Sequence, residues 1–324
     1  MSSVNHVVKK TPFVQDVLEG LTASPKHLSS KYFYDEKGSV LFQQIMRMPA
    51  YYPTDCEYEI FDRQKAEIHQ LFAEGVDNFR IVEFGAGDGL KTKVLLDYFL
   101  QQDTHFTYSP IDISGSALTQ LSEDLGTRWP NLDVDPFKGD YFEALHKLSA
   151  QTSERKAVLF LGSNIGNFTE SKAMAFLASI RKDLNPGDRL LIGFDLKKDP
   201  HTILQAYDDP EGITREFNLN LLHRINRELG ANFQVDKFIH APSYNPMTGE
   251  TKSFLVSTID QQVYIEALDQ SFSFYAWEAI WTELSQKYDF PTIERYAEAA
   301  GFKVLSHLTD SKGWYCDSIW EVKA

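Results

Sequence analysis

The chain has 324 residues, of which 43% are hydrophobic and 24% are charged, as in globular proteins with a large buried core. Its formal net charge of −14 repels a phosphate backbone, which argues against a nucleic-acid substrate. The two cysteines are far apart in the sequence, and the histidines and cysteines lack the spacing of a metal site. Neither the apolar core of a signal peptide nor a run of about 18 apolar residues occurs. We therefore expect a cytoplasmic monomer with no disulfide framework, no bound metal and no membrane contact.

The first 53 residues are predicted to form a helical and aromatic cap. Residues 1–12 are expected to be a frayed tail, and a helical pattern starts at Phe13. An amphipathic helix that starts at Val40 ends at the Met48–Thr54 segment, because the two prolines there interrupt a helix. Thr54 followed by Glu57 three residues later is a capping-box pattern, which predicts a long helix from Thr54 to about Ala73.

A glycine-rich turn follows the first strong strand pattern. The apolar run that ends at Glu83 leads into Gly85, Gly87 and Gly89, and a helical pattern begins at Lys91. Such a turn at the carboxyl end of a parallel strand is where doubly wound α/β folds hold nucleotide-like ligands. The spacing differs from the G-x-G-x-x-G dinucleotide pattern. It resembles the first motif of class I S-adenosylmethionine-dependent methyltransferases, while another nucleotide site and a structural turn remain alternatives.

Two acidic residues stand at the tips of the next strands. Asp112 ends the predicted strand at 106–111, where an acid can accept hydrogen bonds from a ribose diol, or can cap the helix that starts near Ser114. Asp140 and Tyr141 follow the third strand, where an acid usually meets adenine in class I methyltransferases. A simple turn is the alternative for Asp140.

The remaining pattern alternates strands and helices and then changes. Strands are predicted near 80–84, 106–111, 132–137, 157–161 and 188–194, and helices near 90–101, 115–127, 141–148 and 170–183. This alternation predicts an α/β fold with a doubly wound parallel sheet. Residues 54–195 and 287–324 would form this core, which ends in a closing hairpin. Residues 196–286, with two helices, a hairpin around Asn245–Gly249 and strands near 262–266 and 271–275, would form an inserted α+β substrate-binding subdomain.

Several longer stretches are more specific than the glycine turn. They are Lys31–Phe42, Tyr51–Thr54, Phe84–Gly87, Lys91–Thr92, Phe160–Asn167, Ala206–Asp209 and Thr282–Ser285. Through these stretches the sequence resembles, over nearly its full length, the histidine-specific N-alpha-methyltransferase family of ergothioneine biosynthesis. The resemblance implies a class I methyltransferase fold, S-adenosylmethionine as cofactor and L-histidine as substrate. The implied reaction is trimethylation of the α-amino group to give hercynine.

The resemblance also implies a set of site residues. Cofactor contacts would fall on Gly85, Gly87, Lys91, Asp112, Asp140 and Tyr141. The amino acid would be held by Tyr34, Phe42, Tyr51, Gly162, Asn167, Tyr207, Glu283 and Ser285, with Asn167 and Tyr51 nearest the chemistry. Two positions depart from the family pattern, since Tyr141 stands where a phenylalanine is expected and Ser253 where a methionine is expected.

The residue types suit these roles. An amide such as Asn167 can orient an α-amine, tyrosine hydroxyls at Tyr34 and Tyr207 can bind a carboxylate, and Glu283 with Ser285 can hydrogen-bond both imidazole nitrogens.

Each of these residues also has a structural alternative. Tyr51 and Phe42 could be core aromatics, Asn167 could cap the helix near Thr169, and Glu283 could lie on a solvated helix face. For the function, the alternatives are methylation of another aromatic amino acid or of an imidazole nitrogen, and a non-catalytic S-adenosylmethionine-binding module.

Overall fold

A computed structural model describes residues 11–324, which form two compact units. One unit contains residues 11–52 together with Lys198–Ser285, and the other contains Pro53–Lys197 together with Gln286–Ala324. We call them the cap unit and the core unit. The cap predicted for residues 1–53 and the predicted insertion therefore share one unit. Of the predicted tail at residues 1–12, residues 1–10 lie outside the described part, and Thr11 caps a helix that begins at Pro12.

The helices and strands follow in chain order. The helices are α1 (Pro12–Thr22), α2 (Glu36–Ile45), α3 (Tyr52–Ala73), α4 (Thr92–Gln101), α5 (Gly115–Arg128), α6 (Tyr141–Gln151), α7 (Glu170–Lys182), α8 (Pro200–Gln205), α9 (Ile213–Leu229) and α10 (Phe290–Ala299). The strands are β1 (Asn78–Phe84), β2 (His105–Asp112), β3 (Asp133–Val134), β4 (Phe137–Lys138), β5 (Arg155–Phe160), β6 (Arg189–Asp195), β7 (Phe238–Asn245), β8 (Glu250–Ser257), β9 (Gln261–Ile265), β10 (Gln270–Phe274), β11 (Ala279–Gln286), β12 (Phe302–Thr309) and β13 (Tyr315–Val322).

The core unit is built on an eight-stranded sheet with the strand order β12-β13-β6-β5-β1-β2-β3, in which β4 also pairs with β2. Strands β1, β2, β5 and β6 are parallel, and β13 runs antiparallel between β6 and β12. The order reverses at β1, whose neighbours β2 and β5 lie on opposite sides. Loops that follow strands on the two sides of such a reversal open a crevice for a ligand. This topology confirms the predicted class I methyltransferase fold.

The central strands are nearly continuous buried apolar runs, because helices cover both faces of the sheet. All seven residues of β6 are buried, as are six of the eight residues of β2. A single hydrophobic cluster joins β1, β5 and β6 to α6, α7 and α10 through residues such as Phe84, Phe160, Leu177, Phe194 and Trp320. This rigid framework fixes the loops at the carboxyl ends of the strands.

The cap unit contains a three-stranded sheet with the order β11-β8-β7 and a two-stranded sheet of β9 and β10. The predicted hairpin around Asn245–Gly249 is confirmed, since β7 and β8 pair antiparallel from Phe238 opposite Ser257 to Asn245 opposite Glu250. Helix α9, buried along Phe217, Leu221, Leu222 and Ile225, belongs to the same hydrophobic cluster as α1 and β8–β10.

Three local predictions were wrong. The helix predicted to begin at Thr54 begins at Tyr52, with Pro53 in its first turn, where a helix tolerates proline. Glu57 therefore does not form a capping box. The single strand predicted at 132–137 is two short strands, and Glu283 lies on strand β11 rather than on a helix.

Among residues 11–324, no helix combines the length and the apolar character that crossing a membrane requires.

Candidate active site

The glycine turn after β1 depends on backbone angles that favour glycine. Gly85, Gly87 and Gly89 have φ values of 68°, 54° and 65°, in the left-handed region. A Cβ atom at Gly85 would lie 2.9 Å from the hydroxyl of Tyr141, and one at Gly87 would meet no atom within 4 Å. The turn is therefore closed by Tyr141 at one glycine and open at the next, which leaves the backbone accessible to a ligand.

Asp112 faces this turn from the end of β2. Its Oδ2 accepts a hydrogen bond of 3.3 Å from the Gly87 N–H, and its Oδ1 accepts one of 2.8 Å from the Ser114 N–H. The cap of α5 is Ser114, whose hydroxyl accepts from the Ala117 N–H. The alternative that Asp112 is itself the helix cap is therefore wrong. Its half-buried carboxylate, next to an open glycine, suits a diol ligand.

Tyr141 and Asp140 complete this side of the turn. Asp140 caps α6 by accepting a hydrogen bond of 2.9 Å from the Phe142 N–H. The Tyr141 ring stacks on Phe84, with ring centroids 5.0 Å apart and planes inclined by 6°. Burial, helped by the carboxylates of Asp112 and Asp140, raises the pKa of Tyr141 to about 12. The hydroxyl therefore stays protonated at neutral pH and can act as a hydrogen-bond donor.

Lys91, the residue that precedes α4, forms an ion pair with Glu57 of α3. Both oxygens of Glu57 also accept from the Gly162 N–H, at 2.9 and 3.0 Å, and Oε1 accepts from the Tyr315 hydroxyl at 2.9 Å. This role of Glu57 is not predicted from the sequence. Three of its partners are 34, 105 and 258 residues away, so only the buried position of an acid on α3 could have indicated it.

The loop after β5 carries two more predicted residues. Gly162 and Ser163 both have left-handed φ values, of 72° and 53°, and the Ser163 hydroxyl accepts a 3.0 Å hydrogen bond from the Asp195 N–H. Asn167 ends the short 3-10 turn Asn164–Asn167, and its side chain is exposed. Thr169 occupies the cap position of α7, so the alternative that Asn167 caps this helix is wrong.

Three predicted residues of the cap unit are aromatic side chains at the edge of its hydrophobic cluster. The Tyr34 ring, half exposed, meets Phe42 edge-on at 5.4 Å and Phe217 at 5.7 Å between centroids. Phe42 and Tyr51 are partly buried and pack against the hydrophobic cluster of this unit. Phe42 and Tyr51 thus have core contacts, as the structural alternative expects, yet each keeps an exposed part that a ligand can reach.

The other three predicted residues of the cap unit are held by hydrogen bonds. The buried hydroxyl of Tyr207 donates to the Ser285 Oγ at 2.8 Å, and Glu283 accepts from the Ser253 hydroxyl at 3.0 Å. Glu283 and Ser285 are two residues apart on β11, so their side chains point to the same face of the sheet. A carboxylate and a hydroxyl on one face can bind a ring that has two polar nitrogens.

The predicted residues thus form separate groups within each unit. In the core unit, Gly85, Gly87, Asp112, Asp140 and Tyr141 surround the glycine turn, while Lys91 is linked to Gly162 through Glu57. The donor set of the core unit fits S-adenosylmethionine, because it offers an acid for a ribose diol, an ammonium for a carboxylate and a partly buried aromatic ring. Within residues 11–324, no three His, Cys, Asp or Glu side chains are grouped so that they could hold a metal ion.

A sequence model of the family described as "Histidine-specific methyltransferase, SAM-dependent" matches residues 13–322. The chain is 38% identical over 299 residues to the histidine N-alpha-methyltransferase of Mycolicibacterium smegmatis, covering 92% of this chain and 91% of that protein. Its identity to the protein of the same name from Mycobacterium tuberculosis is 36%, with the same coverage of both chains. The ergothioneine biosynthesis protein 1 of Neurospora crassa is 29% identical over 290 residues, which are 88% of this chain and 32% of that protein.

Proposed function

Because this chain belongs to the family of histidine-specific, S-adenosylmethionine-dependent methyltransferases, we propose that it trimethylates the α-amino group of L-histidine to hercynine, the first step towards ergothioneine. The structural observation that carries the choice of substrate is strand β11, which presents Glu283 and Ser285 on one face. An imidazole ring offers a nitrogen to each of them, whereas an apolar ring would cover both polar groups without a hydrogen bond to either.

The core unit holds the cofactor in this proposal. Asp112 accepts hydrogen bonds from the ribose hydroxyls, Lys91 pairs with the carboxylate of the methionine part, and Asp140 and Tyr141 border the adenine. Gly85 and Gly87 bring the backbone close to the ligand. When bound, S-adenosylmethionine would supply a sulfonium methyl group, whose carbon the amine attacks opposite the C–S bond, so that the C–S bond breaks and S-adenosylhomocysteine leaves.

The amine is positioned rather than activated by a strong base. Gly162 and Asn167 lie in the loop after β5, where a backbone carbonyl and an exposed side-chain amide can accept hydrogen bonds from an α-amine. The amine attacks in its neutral form, and the proton released after each of the first two transfers passes to solvent. Orientation and exclusion of water lower the barrier of such a displacement.

The cap unit selects the amino acid. Tyr34 and Tyr207 bind the carboxylate through neutral hydroxyls, and Phe42 and Tyr51 border the substrate with aromatic surface. In the structure the single hydroxyl proton of Tyr207 is donated to Ser285. In this proposal that proton turns to the substrate carboxylate, and the Ser285 hydroxyl then hydrogen-bonds the ring.

The decisive experiment is incubation of the protein with L-histidine and S-adenosylmethionine, followed by tandem mass spectrometry of the product. We expect one, two and then three added methyl groups, all on the α-nitrogen. A methyl group on the imidazole would contradict the proposed site of transfer.

Calorimetry tests the alternative of a non-catalytic binding module. We expect the protein saturated with S-adenosylhomocysteine to bind histidine, whereas a regulatory module would bind S-adenosylhomocysteine and ignore histidine. We also propose that the protein is a cytoplasmic monomer that does not bind nucleic acid. Sedimentation of the purified protein in an analytical ultracentrifuge tests the monomeric state.

A further inference from the structure

Glu57 is a buried carboxylate to which three parts of the core unit donate. Its side chain is fully buried, and it receives the Lys91 ammonium, the Gly162 N–H and the Tyr315 hydroxyl. These donors come from the start of α4, the loop after β5 and strand β13. A charged acceptor with several donors is held in one orientation, so Glu57 fixes the two loops relative to each other.

The sheet leaves space for this carboxylate at Gly193 of β6. A Cβ atom there would lie 2.4 Å from Oε1 of Glu57 and 2.2 Å from the Tyr315 hydroxyl. Both distances are far too short for a carbon–oxygen contact, so a larger residue at position 193 would displace Glu57. The glycine in the middle of a buried strand is thus explained by the group that packs above it.

The carboxyl groups of Glu57 and Asp317 both influence the pKa of Lys91. Burial raises the pKa of the neighbouring Asp317 carboxyl well above its usual range, and the Glu57 carboxylate raises it further. Burial alone would lower the pKa of Lys91, but its acidic neighbours, Glu57 above all, reverse this and the pKa is raised. Burial thus favours the neutral form of Asp317, and the proximity of Glu57 favours the charged form of Lys91.

We infer that Glu57 is a positioning residue for cofactor binding, which holds the Lys91 ammonium and the Gly162 peptide in the places where the ligands meet them. This inference rests on the cofactor-binding role proposed above for Lys91. Glu57 itself is fully buried behind these two residues, so it acts through them.

The test compares the affinity of Glu57→Gln and wild-type protein for S-adenosylhomocysteine by calorimetry. Glutamine keeps the shape and can still accept from the Gly162 N–H, but it removes the charge that pairs with Lys91. We expect the dissociation constant and the KM for S-adenosylmethionine to rise about tenfold, as for loss of a hydrogen bond to a charged group. Glu67→Gln, an exposed change on the same helix, is the matched control and should leave both values unchanged.

A double variant separates positioning from general destabilisation. If Glu57 acts through Lys91, Glu57→Gln combined with Lys91→Met should bind little more weakly than Lys91→Met alone, because both changes remove the same interaction. Additive losses, or wild-type affinity in Glu57→Gln, would overturn the inference. If Glu57→Gln does not fold, Tyr315→Phe removes one donor to Glu57 and should weaken S-adenosylhomocysteine binding about threefold. Unchanged affinity in that variant would overturn it as well.

The result is separable from the identity of the amino acid. A wild-type protein that binds S-adenosylhomocysteine but does not methylate histidine would contradict the proposed substrate, while the Glu57 comparison would still give its answer.

Discussion

The hydroxyl of Ser253 on β8 donates a 3.0 Å hydrogen bond to Oε2 of Glu283 on the neighbouring strand β11. Ser253 is almost completely buried, so this bond orients the Glu283 carboxylate from one side. The position where the family pattern leads one to expect a methionine thus carries a polar group that contacts the proposed ring-binding acid. Ring selection in this chain then depends on the Ser253–Glu283 pair.

Replacement of Ser253 by alanine tests this dependence. Without its donor the carboxylate of Glu283 loses one hydrogen bond, worth about 1 kcal/mol, so the KM for histidine should rise about fivefold with kcat nearly unchanged. Steady-state kinetics on the purified variant measure both constants. Ser273→Ala on the exposed face of β10 is the control, and a KM equal to that of wild type in Ser253→Ala would refute the role of the pair.

Glu283→Ala should raise the KM for histidine far more than it changes kcat, because ring binding is made in the ground state and the transition state alike. It should also narrow the preference for histidine over tryptophan, since it removes a carboxylate that an apolar ring would cover without a hydrogen bond, and it opens space. Competition assays with both amino acids measure the preference, with Glu250→Ala on β8 as the control. If the wild-type enzyme already methylates tryptophan as well as histidine, the ring-binding role of Glu283 and Ser285 is wrong.

Asp112→Ala should weaken binding of S-adenosylhomocysteine by about 1–3 kcal/mol, from the loss of hydrogen bonds to a charged acceptor. Part of that loss arises in the protein itself, because Asp112 also accepts from the Gly87 N–H and so orders the glycine turn. Calorimetry measures the affinity, and Asp97→Ala on α4 serves as the control. Equal affinity in Asp112→Ala would contradict the proposed hydrogen bonds between this acid and the ribose.

Glu83, at the end of β1, predicts a dependence of stability on pH. Burial raises its pKa from 4.5 to about 7, against the opposing effect of hydrogen bonds from Tyr108 and Thr92. The folded state therefore holds this proton more tightly than the unfolded state. The contribution of this carboxyl to the free energy of unfolding is complete below about pH 4.5 and is lost as the pH rises through about 7. The loss in the free energy of unfolding is on the order of 3 kcal/mol.

Glu83→Gln isolates this contribution because glutamine does not titrate. We expect the Tm of wild-type protein, relative to that of Glu83→Gln, to be higher at pH 5 than at pH 8. The same comparison with Glu67→Gln, a substitution at an exposed position, is the control. A Tm difference for Glu83→Gln that is the same at both pH values would contradict the raised pKa.

The core strands could be predicted from sequence because each is an apolar run bounded by glycine or an acid, and β1, β2, β5 and β6 lie within two residues of their expected positions. The third strand was predicted as one element, but Pro136 has no N–H to donate, and the pairing divides into β3 and β4 around it. The strand that carries Glu283 has the two-residue period of a strand, since Ile280, Thr282 and Leu284 are buried at every second position. A helix would have required a different period.

The role of Glu57 could not be predicted in the same way. A threonine followed by a glutamate three residues later has the same local pattern whether the acid caps its own helix or pairs elsewhere. The role of Glu57 depends on the burial of its side chain and on its hydrogen bonds with Lys91, Gly162 and Tyr315, which lie in distant parts of the chain. Side-chain partners across such separations depend on the tertiary fold, which the pattern of hydrophobic residues specifies only coarsely.

The chain leaves the core unit after β6 and returns to it at almost the same point. The Lys197 N–H donates to the Tyr288 carbonyl at 2.8 Å, the Tyr288 N–H donates to the Asp195 carbonyl at 2.8 Å, and Lys287 forms a buried 2.7 Å ion pair with Asp195. For the core, residues 198–285 are thus one closed loop, and doubling the length of a flexible loop costs only about 0.6 kcal/mol in closure entropy. Evolution can therefore lengthen, shorten or remodel this segment while the cofactor-binding sheet keeps its fold, so that substrate preference can diverge within a lineage without a new methyl-transfer scaffold.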